Sequence, residues 1–175
     1  MSDELTHEPT RRRTTTWDDP SVSAAQLGRM GGLEMLQAVR DGALPAPPIA
    51  ATLGFDLDEV EEGRAVFSLD AGEHLYNPIG SVHGGVFATL LDSAAACALH
   101  STLPAGVGYT SVDLNVKFLR AITADTGRVT CTGRVVSRGR RLALTESTLN
   151  DSSGRLLATA TSSCLIFEMP GQGGS

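Results

Sequence analysis

At 175 residues the chain suits one domain with a sizeable hydrophobic core. With 41% hydrophobic and 19% charged residues, neither pervasive disorder nor a fibrous repeat is expected. A net charge of -6 argues against a general nucleic-acid binder, because phosphate partners attract an excess of positive charge.

Residues 1–20 mix charge, Thr and Pro without periodicity, which predicts a flexible tail with Arg11, Arg12 and Arg13 solvated among neighbouring acids. No apolar stretch precedes a cleavage site there, so no secretory signal is expected and a cytoplasmic location is the default. From Ser23 onward Leu27, Met30, Leu33, Met35, Leu36 and Val39 recur at roughly helical spacing, with Gly42 as a stop. This leading helix is weakened by Gly31 and Gly32. LPAPPIA, residues 44–50, reads as an extended linker because successive prolines oppose helix. Leu53, Phe55 and Leu57 alternate with polar neighbours, a turn falls at 61–63, and 65–70 alternates again, predicting a hairpin.

A helix over Gly84 to Leu99 follows. In TSVDLNVKFL, Val112, Leu114, Val116 and Phe118 fall on one face of a predicted strand, and Ser111, Asp113, Asn115 and Lys117 on the other. Strands at 127–137, 141–149 and 155–167 complete the set, joined by SRGR and DSSG turns too short for crossovers, so antiparallel pairing is expected. The domain is placed at 21–168, with a Gly-rich tail at 169–175. Cys97, Cys131 and Cys164, odd in number and set in apolar patterns, read as small core residues rather than a disulfide or metal set. His7, His74, His83 and His100 lack ligand spacing, so no metal is expected.

The central helix is the most informative element. VHGGVFATLLDSAAACAL is apolar nearly all round, which predicts that other structure encloses it, and a sheet of about six strands could do so. Its longest apolar run, residues 90–99, is interrupted by Asp92 and Ser93 and is too short to span a membrane. Asp92 is the only charged residue between Gly84 and Leu99. A carboxylate in such surroundings is costly unless something pairs with it or uses it. It serves either as a structural acceptor on a solvent stripe or interface, or as a base or nucleophile. At the start of the helix, Gly84 and Gly85 let backbone N–H groups without intrahelical acceptors approach an oxygen that gains negative charge, and the helix dipole adds to the effect. Asn77, six residues before His83, supplies an amide. A GxSxG nucleophile motif is absent.

The segment YNPIGSVHGGVFATLLDSAA resembles the signature of hotdog-fold acyl-CoA thioesterases of the phenylacetate-pathway type, in which Asn, HGG and an acidic residue recur at this spacing. The likeness extends over residues 45–167, with VGYTSVDLNVKFLRAI and VVSRGRRLALTESTL similar to the later strands of that family. The resemblance implies an α+β hotdog fold: an antiparallel sheet of about six strands wrapped around a central helix, here with an extra N-terminal helix. It implies hydrolysis of an acyl- or aryl-CoA thioester, with coenzyme A as part of the substrate and no separate cofactor. Gly84 would donate its N–H to the thioester carbonyl, and Asp92 of a partner subunit would act as general base or nucleophile. Asn77 and His83 would orient the carbonyl or the sulfur, and Ser111 would place a hydroxyl near the water. Ser137, Arg138, Gly139, Arg140 and Arg141 match the hairpin that contacts coenzyme A, and arginine suits its phosphates. Phe118 to Thr123 match a substrate-lining segment, though Phe118 fits a core equally well. A homodimer or homotetramer is implied. The competing expectation is a module that binds acyl-CoA without turnover.

Overall fold

The computed structural model describes residues 10–169, so the expectations for residues 1–9 and 170–175 lie outside it. Seven antiparallel strands form one sheet, β1 (Phe55–Glu61), β2 (Arg64–Asp70), β3 (Val107–Ser111), β4 (Asn115–Phe118), β5 (Arg128–Arg138), β6 (Leu142–Asp151) and β7 (Leu156–Glu168). Their spatial order is β1-β2-β5-β6-β7-β3, with β4 also paired to β7. The long helix α4 (Gly84–His100) lies across one face, preceded by the shorter α1 (Pro20–Ala24), α2 (Gly32–Arg40) and α3 (Pro48–Leu53). This is the hotdog arrangement that the resemblance implies. Among the described residues no helix is long and apolar enough to cross a membrane.

Small residues let α4 lie close against the sheet. Gly133 of β5 faces the helix, and a Cβ there would overlap the Ala94 carbonyl. Ala94, Ala95 and Ala98 are buried beside it, with Phe87, Leu90, Leu91 and Leu99 filling the space above and below. Two inner-face side chains fasten the helix by its carbonyls: Ser147 Oγ donates to Leu91 O at 2.9 Å and Cys131 Sγ to Leu90 O at 3.4 Å. Cys131 and Cys164 are fully buried, as their apolar setting implies, whereas Cys97 is half-buried.

Four expectations need correction. The leading helix is not continuous over 23–39: α1 ends at Ala24 and α2 starts at Gly32. Gly32 is buried against the end of α4, where a side chain would collide with the His100 backbone, so the helix begins where a glycine is required. Residues 44–50 are not all linker, because Pro48 opens α3 and Gly54, at φ 83°, closes it. A proline that ends one segment also suits the first turn of the next. The strand expected over TSVDLNVKFL is two strands, β3 and β4, both on β7. Between them Asp113 takes over the ladder: its carboxylate accepts from Ser163 N at 3.0 Å and its carbonyl from Ser162 Oγ at 2.7 Å. Finally, α4 is not enclosed all round by its own chain. Asp92, Ser93, Cys97 and His100 form a half-buried stripe at helical spacing, continuing Ala88 and Thr89.

Candidate functional site

The loop before α4 is built from its own residues. Asn77 Oδ1 accepts from Ile79 N at 3.0 Å and Ser81 N at 3.3 Å, and its Nδ2 donates to Ser81 Oγ at 3.2 Å. The backbone closes the same loop through Asn77 N to Ser81 O and His83 N to Leu75 O. Two further bonds tie it to residues 122–124: Val82 N donates to Ile122 O at 2.8 Å, and Tyr76 Oη accepts from Ala124 N at 2.7 Å. Asn77 therefore shapes the turn that aims the start of α4, and Tyr76, which sequence reasoning missed, anchors it.

His83 is the N-cap of α4, and its Nδ1 accepts from Gly85 N at 2.9 Å. An accepting Nδ1 places the ring proton on Nε2, and the side chain is exposed. Val86 N is taken by His83 O. Of the two glycine donors that sequence reasoning left open, Gly85 is thus occupied, while Gly84 N–H has no acceptor among the described residues. Against Gly84 stands the Phe118 ring: a Cβ on the glycine would sit 3.3 Å from Phe118 Cζ. Phe118 is 56% exposed and meets Phe87 edge to face, so it is not the core residue that strand alternation suggests. Val112 and Leu119 are exposed nearby in sequence, as is Ile79 in the preceding loop.

Asp92 lies on the half-buried stripe of α4. Ser111 Oγ, from the edge strand β3, donates to Asp92 Oδ1 at 3.0 Å, bringing together two residues that sequence reasoning paired only through resemblance. Tyr109, two residues back on the same face of β3, packs edge to face against His100. Burial pushes the Cys97 thiol up to about 12, and the Asp92 carboxylate adds to the rise. Burial likewise raises the Tyr109 phenol well above its ordinary value, with Cys97, Cys164 and Asp92 contributing. Burial alone lowers His100. The Asp92 carboxylate thus lies near a thiol and a phenol that both stay neutral.

Gly84 and Asp92 do not meet within one chain. Eight residues of helix separate them by about 12 Å along the axis. The hairpin residues Ser137, Arg138, Gly139, Arg140 and Arg141 are farther still, exposed beyond the other end of α4. There Arg138 donates to Thr102 O at 2.8 Å and borders an open groove of about 600 Å³ with Gly31, Gly32, Glu34 and Gln37. Among the described residues the side chains of Arg140 and Arg141 have no hydrogen-bond or ion-pair partner, while the Arg141 carbonyl accepts from Ile166 N at 2.9 Å. Neither Gly84 nor Asp92 lines that groove. Among the described residues no three His, Cys, Asp or Glu side chains stand together as a metal site.

Comparison with known proteins gives these features a context. A sequence profile described as the thioesterase superfamily matches residues 79–158, a span that holds Gly84, Asp92 and Ser111. The chain is 34% identical over 98 residues to human acyl-coenzyme A thioesterase 13, covering 55% of this chain and 68% of that one. It is 29% identical over 106 residues to 1,4-dihydroxy-2-naphthoyl-CoA hydrolase of Listeria monocytogenes, covering 61% of this chain and 85% of that one. A solved structure of a phenylacetic acid degradation-related protein from Ralstonia eutropha superposes with a TM-score of 0.67 at 31% identity, over 74% of this chain and 98% of that one.

Proposed function

The chain belongs to the thioesterase superfamily, and from that premise we propose that it hydrolyses acyl- or aryl-CoA thioesters to the free acid and coenzyme A. The observation that carries the proposal is the Ser111–Asp92 pair, held on a stripe of α4 that its own chain leaves half-covered. A carboxylate fixed on an open stripe is placed to work on a molecule bound between two copies.

In this reading Gly84 N–H of one chain receives the thioester carbonyl oxygen, with the helix dipole favouring the charge that develops there. Asp92 of the second chain acts as general base. Its Oδ1 is engaged by the Ser111 hydroxyl, leaving Oδ2 and the lone pairs of Ser111 Oγ to accept both hydrogens of one water. That water attacks the carbonyl carbon, its proton passes to Asp92, and collapse of the tetrahedral intermediate expels the coenzyme A thiolate, which takes up the proton. His83 Nε2–H points a donor outward for the departing sulfur. The Phe118 ring beside Gly84 walls the acyl or pantetheine side of the carbonyl. Arg140 and Arg141 meet the coenzyme A phosphates, whereas Arg138 is held by Thr102.

Release of free thiol from phenylacetyl-, aryl- and fatty acyl-CoA tests the proposal. Asp92→Asn should lower turnover on the order of a hundredfold or more while coenzyme A binding persists. Stoichiometric binding by the wild-type chain without thiol release would overturn the enzyme reading in favour of a binding module. A single turnover in ¹⁸O-water should label the acid product and leave the Asp92 peptide unlabelled; label on Asp92 would show attack by the carboxylate itself.

A further inference from the structure

The arginine run Arg11 to Arg13 has no part in the proposed chemistry, and it is not merely solvated as the sequence suggests. Residues 10–19 have no regular secondary structure, yet two of the arginines fasten them to the folded body. Arg13 donates to Thr52 O at 2.7 Å and to Ala51 O at 3.4 Å, the carbonyls at the C-terminal end of α3. Its guanidinium lies close over Gly54, where a Cβ would stand 2.7 Å from Nη2. Arg11 pairs with Glu73, at the start of the single helical turn Glu73–Leu75 that leads into Tyr76 and Asn77. The neighbouring His74 registers the same contact: burial lowers its pKa, and the Arg13 charge lowers it further against the pull of Glu73. Arg12 has no hydrogen-bond or ion-pair partner among the described residues.

This strap is lightly held. Arg11 and Glu73 are 65% and 57% exposed, and an ion pair so open to water adds little stability. The carbonyls that Arg13 holds are also at the surface. In extended chain, alternate side chains share a face, so Arg11, Arg13 and the half-buried Thr15 turn towards the body, whereas Arg12, Thr14 and Thr16 are exposed. The Thr15 hydroxyl has no hydrogen-bond partner among the described residues, and it lies on the same side as the Arg13 guanidinium. Lifting the strap costs little and presents Arg12 and Arg13 immediately ahead of that hydroxyl. Protein kinases select substrates by charge pattern, and two arginines upstream of an acceptor suit a peptide groove lined with carboxylates.

We propose that Thr15 is a phosphorylation site for a kinase of that kind, and that its phosphate keeps the strap lifted by taking Arg13 from the α3 carbonyls. The Thr15 hydroxyl oxygen attacks the γ-phosphorus of a nucleoside triphosphate, the bond to the nucleoside diphosphate breaks, and the hydroxyl proton passes to the kinase's carboxylate base. The product carries a near-dianion two residues from Arg13. A guanidinium bonds a phosphate more strongly than it bonds the neutral carbonyls of Ala51 and Thr52, so the strap exchanges its anchor on the body for one within itself.

Incubating the full chain with magnesium ATP and the catalytic subunit of cyclic-AMP-dependent protein kinase tests the switch. One phosphate should be incorporated, mapped to Thr15 by fragment-ion mass spectrometry and lost in Thr15→Val. In the phosphorylated chain the His74 pKa, followed by proton NMR, should rise as the Arg13 charge moves away. Amide exchange at Leu53 and Gly54 should quicken severalfold, because the end of α3 loses its cation. Arg13→Ala should show both changes without any phosphate. No incorporation into the wild-type chain, phosphate on Thr14 or Thr16 alone, or a phosphorylated Thr15 that leaves His74 and the α3 amides as they were would overturn the proposal. So would changes that follow phosphorylation but are absent from Arg13→Ala. Thiol release enters none of these readouts, so the hydrolytic reading stands or falls separately.

Discussion

The first turn of α4 and its middle carry the two halves of the proposed chemistry, and they are built in opposite ways. The first turn is a local construction. Asn77, His83 and the loop backbone satisfy one another within nine residues, and what remains over is a single N–H at Gly84. The middle depends on distant parts of the chain. Asp92 is held by Ser111, nineteen residues on, and the helix turn beneath it by Cys131 and Ser147. A donor needs only a rigid backbone, which a short loop provides; a carboxylate that handles a proton needs an environment, which only packing provides.

The largest expected effects come from breaking each half alone. Gly84→Pro removes the N–H yet suits the first helical position, and His83, at φ -64° and ψ 137°, already has a backbone compatible with a following proline. Made in a Phe118→Ala background to clear the adjacent ring, it should lower kcat by about 10² to 10³ relative to Phe118→Ala, with helicity by circular dichroism unchanged. If the two halves serve different chains, mixing and refolding this variant with Asp92→Asn should recover activity that neither has alone. No recovery from well-folded mixed oligomers would break the shared-site picture.

Removing the support of Asp92 should cost less than removing the carboxylate. Ser111→Ala deletes a hydrogen bond to a charged group, worth about 1.5 to 3 kcal/mol, so kcat should fall roughly tenfold to a hundredfold. The loss should appear in kcat rather than KM, and Ser111→Thr should recover part of it. An unchanged kcat would mean that Asp92 is positioned by packing alone. At the other end of the substrate, Arg140→Ala with Arg141→Ala should raise KM, flatten its salt dependence and leave kcat in place. A change in kcat with unaltered KM would remove the hairpin from phosphate contact.

The same contrast governs what the sequence disclosed. HGG announced the first turn because its parts are neighbours and their geometry follows from residue type. Even so, residue type left two donors open, and the His83 ring bonded to Gly85 N leaves Gly84, the donor that the resemblance implies. Asp92 was visible as a lone charge in an apolar run, but Ser111 was reached only through resemblance, since nothing in local periodicity links α4 to β3. The alternation of TSVDLNVKFL holds only in part: Leu114 and Val116 pack on the core, but Val112 is exposed and Ser111 turns in to Asp92, and one strand became two because Asp113 satisfies β7 in place of the ladder, a choice made by Ser162 and Ser163. Phe118 followed the apolar pattern and still lies exposed, because the surface it faces is the rim of Gly84. Pro48 misled for a different reason: residue type alone does not say whether a proline ends an element or opens one.

Tyr76 gives the finest test of the difference between the two halves. Its hydroxyl accepts from Ala124 N, while Val82 N bonds Ile122 O, so both ends of the 76–82 loop are clamped to one segment. Tyr76→Phe removes one clamp and keeps the ring, which should cost about 1 kcal/mol of stability. If the first turn is rigid through its own bonds, kcat should fall only a few-fold, with KM and the pH profile unchanged, because Asn77 and His83 still hold Gly84. A drop as large as that of Ser111→Ala would instead show that the donor, like the carboxylate, is positioned from a distance, and the two stations on α4 would no longer differ in kind.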